Sequence, residues 1–512
     1  MPTRNTRPVV LVVLDGWGSR EETLHNPIAE ARTPFFDELW RTYPHSLLDA
    51  SGMEVGLPEG QMGNSEIGHM VIGSGMPIPS DLVRIRTAMD RGEFETNPVL
   101  QHIFQHTQTH QSTLHLLGLL GFGGVHAHQD HLVGILKAAK RAHVSRVLIH
   151  GFTDGRDTPP QSAADSLADL ETKVREVGVG TISTLCGRFY AMDRDKHWDR
   201  IEKAEAALFE ERGRIVTDPP SRVMRSLYKQ DEKDEQLEPL IFSAQDGTST
   251  SIHEGDAVFF FNFRADRAVQ LSRRILERCV GNNVAFATMT KYADDLDVPA
   301  AFPSFIPPVT LAEEVSKAGL TQAHIAETEK YAHATYFLNG GREKPHPREE
   351  HVLLESRKDV LTHDLAPEMR AEGITDAAIG RLERGINFVF INYANADMVG
   401  HTANHAATLL AIETLDKELA RLWKAIEILG GGLCITADHG NAEISHDHER
   451  SQPHTAHTTN PVPFILTSKN VTLLPRGTLA DVAPTVLKLL GLPVPPEMKG
   501  MPLTNGSVPD QV

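Results

Sequence analysis

The chain has 512 residues, more than one hydrophobic core usually supports, so two or more domains are expected. Its hydrophobic share of 40% and charged share of 23% are those of an ordinary globular protein. A formal net charge of −18 argues against nucleic acid and anionic membrane as general partners, and requires that any anionic substrate meet locally concentrated positive charge.

In chain order, the first element is the apolar, β-branched run Val9 to Leu14, ending in Asp15-Gly16-Trp17-Gly18. The run is too short for a signal peptide, and no stretch is long enough to span a bilayer, so a cytoplasmic protein is expected. Continuous apolar runs of this kind suit strands buried on both faces of a parallel sheet. They recur at Thr113 to Leu120, Arg146 to Ile149, Ala257 to Phe261, Phe388 to Ile391 and Leu433 to Thr436. Helical patterns lie between them, at Leu132 to Ala142, Ala163 to Val177 and Ala407 to Leu429. Alternation of strand and helix predicts an α/β fold with mostly parallel sheet, whose ligand site lies beyond the carboxyl ends of the strands. Tyr228 to Glu238 reads as an exposed loop or helix end.

Two proline-rich stretches, Gly75 to Ser80 and Phe302 to Pro308, read as linkers. They predict one domain made of residues 1–77 and 309–512, with a second domain, 78–308, inserted. The three cysteines, Cys186, Cys279 and Cys434, are far apart and odd in number, which argues against a disulfide framework.

Four segments carry metal-ligand character: Asp15, Asp397 with His401, Asp438 with His439, and His454 to Asn460. Singly each is weak, since a strand-terminal Asp is more often a cap or turn residue. Together they pool carboxylates and imidazoles at loops after apolar strands, a mixture suited to zinc, manganese and related ions. There are enough for two metals, an arrangement common in phosphoryl chemistry. His102, His106 and His110 read instead as an exposed helix face, and His446, His448 and His454 receive no role.

Ser65 lies in the small, polar string Gly60-Gln-Met-Gly-Asn-Ser-Glu-Ile-Gly-His69, ahead of a potential helix. A helix N-terminus favours an anion, but Ser65 could equally be a plain helix cap. As a nucleophile it would need activation, which metal coordination can supply. Positive charge collects in three strings after strands, holding Arg156, Arg188 with Arg194, and Arg264 with Arg267. Arginine forks pair with carboxylate and phosphate oxygens. Lys330 adds a cation that could stabilise charge on a phosphoryl group in transfer.

The strings Asp15-Gly-Trp-Gly, Gly60 to Glu66, Gly123-Gly-Val-His126, Thr153 to Thr158, Tyr190 to Lys196, Phe261 to Arg267, Glu327 to Ala332, Asn392 to His401, Ala437 to Glu443 and His454 to Pro461 resemble, in order, those of cofactor-independent phosphoglycerate mutases. The resemblance implies an alkaline-phosphatase-like, mostly parallel sheet domain with an inserted α/β substrate domain. It implies interconversion of 3-phosphoglycerate and 2-phosphoglycerate by a monomer, with two divalent ions, usually manganese, and no requirement for 2,3-bisphosphoglycerate. By motif, one ion would be held by Asp397, His401 and His457, the other by Asp15, Ser65, Asp438 and His439. Ser65 would become phosphoserine. His126, Arg156, Asp157, Arg188, Arg194, Arg264, Arg267 and Lys330 would hold substrate and phosphoryl group, with Asp157 moving protons. Departures from the family pattern fall at Gly121-Phe122, at Met76 to Pro79 and at Arg357 to His363. The rival readings are a phosphatase or phosphosugar mutase with the same metal core, and a catalytically inactive binding protein.

Overall fold

The apolar runs become the buried strands of two mostly parallel sheets, so the fold is α/β. The computed structural model describes residues 7–242, 248–447, 451–468 and 471–505; His448 lies outside them. The chain divides into two compact units, one of residues 1–80 and 305–512, the other of residues 81–304.

In the first unit an eight-stranded sheet runs in the order Glu349–Leu354, Gln322–Glu327, Phe388–Tyr393, Val9–Leu14, Gly432–Thr436, Val462–Leu466, His45–Asp49, Arg476–Thr478. The first five strands are mutually parallel, and Val462–Leu466 is antiparallel to both neighbours. Val9–Leu14 is central and wholly buried, which is why it alternates nothing. The helix His405–Ile428 buries Ala411, Ile412, Leu415, Leu419 and Leu422 at helical spacing. The stretch Gly75 to Ser80 is not slack: Met76 and Ile78 are buried, and Ile78 and Ser80 donate backbone hydrogen bonds to Val55 and Gly56.

In the second unit the sheet order is Ala300–Phe302, Ala285–Thr290, Ala257–Phe260, Leu114–Leu119, Val147–Thr153, Thr181–Gly187, Leu240–Phe242, Arg214–Val216. Only the pairing of Thr181–Gly187 with Leu240–Phe242 is antiparallel. The segment Tyr228 to Glu238, expected to be exposed, contains a buried anchor. Asp234 is fully buried and accepts hydrogen bonds from Ser162 N, Ala163 N and the Tyr228 hydroxyl at 2.8, 2.9 and 2.5 Å. Its charge is matched to free N–H groups at the start of the helix Ala163–Val177, a pairing that no hydropathy pattern displays. His102 and His110 lie exposed on the helix Pro98–His110, whereas His106, expected on the same face, is half-buried with its Nε2 3.0 Å from the Gly255 carbonyl. All three cysteines are free and buried. Among the described residues no helix is long and apolar enough to cross a membrane.

Three buried imidazoles of the second unit, two in its strands and one on the helix Gln129–Arg141, contribute to its response to acid. His115 Nδ1 faces His150 Nε2 at 2.9 Å, His115 Nε2 faces Asp256 at 3.1 Å, and His150 Nδ1 faces the Thr184 hydroxyl at 3.0 Å. His131 is fully buried with neither ring nitrogen hydrogen-bonded. Burial lowers the basicity of His115, drives His150 well down, and takes His131 to about 3. Each folded-state value lies below the unfolded 6.5, so between the two the unfolded chain binds more protons and stability falls as pH falls. We predict that urea stability is flat above pH 7 and declines below 6.5. The loss is about 1.4 kcal/mol each for His131 and His150 at pH 5.5, one unit under the unfolded value, and His115 adds to it in the same direction. Equal urea midpoints at pH 7.5 and 5.5 would contradict this.

Candidate metal and phosphoryl-transfer site

Four adjacent parallel strands of the first unit end at one place. Gln322–Glu327 leads to Lys330, Phe388–Tyr393 to Asp397, Val9–Leu14 to Asp15, and Gly432–Thr436 to Asp438 and His439. The loops converge because glycines admit backbone contact. A Cβ on Gly16, whose φ is +75°, would lie 2.7 Å from the Cβ of Asp397. One on Gly68 would lie 2.6 Å from the Asp438 carbonyl, which brings the helix Ser65–Ser74 against that loop.

Ser65 is not that helix's cap. Asn64 is, its side chain accepting from Ile67 N at 3.0 Å. Ser65 occupies the first helical position, is buried, and turns its hydroxyl to the carboxylate cluster. Its Oγ lies 2.9 Å from His439 Nε2, 3.3 Å from Asp15 Oδ1, and accepts from Lys330 Nζ at 2.7 Å. Lys330 also donates to Asp15 at 2.6 Å and to Asp397 at 2.7 Å.

Two donor sets emerge. In one, Asp397 Oδ1, His401 Nε2 and His457 Nε2 form a triangle with sides of 3.3, 3.4 and 3.2 Å. In the other, His439 Nε2 lies 3.6 Å from Asp15 Oδ1 and 3.4 Å from Asp438 Oδ2, and Ser65 Oγ completes the set. Ligand bonds of about 2.0–2.1 Å in a tetrahedron imply ligand-to-ligand edges of about 3.3 Å; the first set has them on all three sides, and in the second the edges from His439 Nε2 to its two carboxylates are close to that length. Asp438 Oδ2 is buried and accepts no hydrogen bond. Two imidazole nitrogens facing each other at 3.2 Å beside a carboxylate need a shared proton or a cation. The residues therefore fit divalent metal.

In the second unit, strand ends gather the arginines. After Val147–Thr153, Asp154 accepts from Arg156 N and Asp157 N, folding the loop back on itself. Arg188, buried at the end of Thr181–Gly187, donates to Asp154 at 2.6 Å and Asp157 at 2.5 Å. Arg194 and Arg264 pair with Asp266 at 3.0 and 3.1 Å, and Arg156 with Glu235. His126 lies 3.6 Å from Asp157 and 3.5 Å from Asp266. Burial first, and the nearby charges of Arg194, Arg156 and Arg188 next, depress the basicity of Arg267. Its guanidinium therefore sits in a positive field.

The chain matches the Metalloenzyme superfamily over residues 7–494. It is 46% identical over 503 residues to the 2,3-bisphosphoglycerate-independent phosphoglycerate mutase of Listeria innocua, covering 96% of this chain and 98% of the relative. The enzyme of that name from Rippkaea orientalis is 47% identical, covering 97% of this chain and 95% of the relative. The chain belongs to the 2,3-bisphosphoglycerate-independent phosphoglycerate mutases. Among solved structures, the Leishmania mexicana phosphoglycerate mutase crystallised at low cobalt concentration matches with a TM-score of 0.60 and 30% identity, covering 98% of each chain.

The electrostatics of this mutase-family site follow from burying three carboxylates against one lysine. Burial works against the ammonium of Lys330, but Asp15 and Asp397 outweigh it and hold it above the usual lysine range. Burial and the neighbouring charge of Asp438 push Asp15 up, whereas burial is overcome by Lys330 at Asp397 and by His439 and His69 at Asp438, and both are held down. The cluster thus carries more negative charge than Lys330 matches. In the second unit, burial and then the Arg188 charge lower His126 to about 4, so it is a neutral imidazole at pH 7.

Several supporting residues carry no signal in hydropathy. His69 stands four residues after Ser65 on the same helix face and lies 3.3 Å from Asp438. Asn392, buried in the strand before Asp397, donates to Asp15 Oδ2 at 2.8 Å. Glu443 is the hub of the loops: buried, it accepts from Gly18 N at 3.1 Å, Asn441 N at 2.8 Å, Asn460 Nδ2 at 2.9 Å and the Thr458 hydroxyl. It stands five positions after Asp438 within the Ala437–Glu443 string, which was the only hint. Because removing it strands three buried donors and the half-buried Asn460 amide, Glu443→Ala should lower the stability of the folded protein by about 3 kcal/mol or more. The exposed Glu54→Ala should change it by less than about 0.5 kcal/mol. Chemical denaturation of the two variants beside the parent measures both.

Proposed function

We propose that the protein interconverts 3-phosphoglycerate and 2-phosphoglycerate by way of a phosphorylated Ser65. The observation that carries the reading is the Ser65 hydroxyl: buried at the first position of a helix, it lies within 3.3 Å of Asp15, His439 and Lys330. A serine kept only for capping would turn its oxygen to the helix's own N–H groups.

Two divalent ions, manganese by the family resemblance, would be held by Asp397, His401 and His457, and by Asp15, Ser65, Asp438 and His439. Bound there, they supply positive charge against the serine oxygen and the phosphoryl oxygens. The remaining work falls to side chains. Ser65 Oγ, giving its proton to Asp15 Oδ1 at 3.3 Å, attacks phosphorus, a bond forms between them, and the bond from phosphorus to the substrate oxygen breaks. Lys330, already donating to Ser65 Oγ, offsets charge on the transferring group. Arg156, Arg188, Arg194, Arg264 and Arg267 hold the glycerate carboxylate and phosphoryl oxygens, and His126 supplies a neutral hydrogen-bonding ring.

Asp157 suits proton transfer. Burial works against its charge, but the hydrogen bond from Arg188 outweighs burial and keeps the carboxyl below the usual range. As a carboxylate it can take the proton from one glycerate hydroxyl while the freed oxygen gains one. The second hydroxyl then takes the phosphoryl group back from Ser65. All these groups come from one chain, which suits a monomer.

Ser65→Ala should lower kcat by at least about 10³-fold, since no other buried hydroxyl in the cluster replaces it. With pure 3-phosphoglycerate the parent should yield 2-phosphoglycerate, and its quenched, turning-over form should carry phosphate on Ser65 by mass spectrometry. Free phosphate as the main product would favour the phosphatase reading. No turnover and no labelled serine would favour the inactive binding protein. Chelator treatment should abolish activity and added Mn²⁺ restore it, while circular dichroism reports that the chain stays folded.

A further inference from the structure

A second carboxylate–imidazole cluster lies at the edge of the first unit's sheet, apart from the residues assigned above. Strands Gln322–Glu327 and Glu349–Leu354 are parallel and pair His324 with His351 and Gln322 with Glu349. Alternation therefore puts Gln322, His324, Glu349 and His351 on one face. The side chains of His324 and Glu349 are fully buried, and that of His351 is 9% exposed. Four polar side chains on a buried sheet face are costly unless their charges and donors are matched.

The matching is incomplete. His324 Nδ1 faces two oxygens, the Ala334 carbonyl at 3.0 Å and Glu349 Oε1 at 3.3 Å. Its Nε2 faces a third, Gln322 Oε1, at 3.3 Å. Gln322 is fixed in that sense, because its amide nitrogen donates to the Ala312 carbonyl at 2.7 Å. A neutral imidazole has one N–H, so one of its nitrogens is left pointing a lone pair at oxygen lone pairs. Burial holds His324 down to about 4, so a second proton is not held at pH 7. Glu349 Oε1 also meets His351 Nε2 at 2.5 Å and the Asn339 amide at 2.7 Å, and its Oε2 accepts from His346 N at 2.6 Å. The Asn339 carbonyl oxygen, on a residue 3% exposed, has no hydrogen-bond partner.

A cation resolves the conflict at Nδ1. With the proton on Nε2, donated to Gln322, the His324 Nδ1 lone pair, Glu349 Oε1 and the Ala334 carbonyl stand around one point. The edges of 3.0 and 3.3 Å are near the roughly 3.3 Å of a tetrahedral zinc-type site. The Nε2–H held by a side-chain oxygen is the outer-shell contact that orients a metal-bound histidine. His351 Nε2, here a hydrogen-bond partner of Glu349 Oε1 at 2.5 Å, would become the fourth donor by turning out of that contact when a cation binds. We propose that His324, Glu349 and His351, with the Ala334 carbonyl, form a separate structural site for one divalent cation of the zinc class. It ties the edge strand to its neighbour and to the segment His333–Phe337, which follows Lys330 in the chain.

The test counts ions. The full-length holoenzyme is equilibrated with Zn²⁺, gel-filtered, and its total divalent metal per chain measured by mass spectrometry. H351Q, where glutamine keeps a donor for Glu349, and E349Q should each carry one equivalent fewer than the parent. Both should lose the rise in melting temperature that excess Zn²⁺ gives the parent, and both should keep mutase activity within about threefold. Equal metal content in parent and folded variants overturns the proposal. Anomalous diffraction at the zinc edge from parent crystals needs no variant: a peak between His324 and His351 is expected, and its absence at a site with no other cation also overturns it.

Discussion

Three carboxylates with one ammonium among them, all out of water, set the terms for the first unit. Asp15, Asp397 and Asp438 are fully buried or nearly so, and Lys330 reaches only two of them directly. Isolated carboxylates in such a place would cost several kcal/mol each. The imidazoles of His401, His439 and His457 reduce that cost only as far as they gain protons. Divalent cations reduce it without proton uptake, and this is the physical reason to read the cluster as a metal centre. Under the proposed function, Lys330 and the cations at this cluster would be what stabilises the anionic form of the Ser65 hydroxyl.

Keeping this arrangement requires backbone closeness and outer hydrogen bonds more than it requires the ligands themselves. Gly16 and Gly68 let two loops and a helix approach to distances no Cβ allows. Asn392 donates to Asp15 from behind, His69 stands 3.3 Å from Asp438, and Glu443 ties three loops together through four donors. Outer-shell groups of this kind fix the direction of each lone pair before any ion or substrate arrives.

What the sequence displayed and what it hid divide along physical lines. Strands buried on both faces are uninterrupted apolar runs, so Val9–Leu14 and Phe388–Tyr393 are visible without coordinates, and their ends announce Asp15 and Asp397. Ser65 was ambiguous because a capping serine and a nucleophilic one have the same neighbours; only the role of Asn64 as cap separates them. Asp234 was misplaced because an acid that satisfies helix N–H groups from a distant loop leaves no periodic trace. The His324 cluster was hidden for a related reason. Its four members are two pairs spaced by two residues on different strands, and only strand register unites them.

The arginine strings have a further consequence. Four guanidiniums of these strings already have acidic partners: Arg188 has Asp154 and Asp157, Arg194 and Arg264 share Asp266, and Arg156 has Glu235. In a protein of net charge −18 such bracing holds the forks in place while no substrate is present. It also means that an incoming carboxylate or phosphate replaces an existing partner instead of meeting a bare charge, so the net gain on binding is reduced. In the proposed reaction, where glycerate would turn between two transfers, weaker ground-state binding would be an advantage, because binding the glycerate equally tightly in every state would lower KM without raising kcat. Arg267 differs from the others: its charge is opposed chiefly by burial and by other arginines, with Asp266 the last and weakest influence on it. An anion beside Arg267 would therefore offset the positive field of its neighbouring arginines.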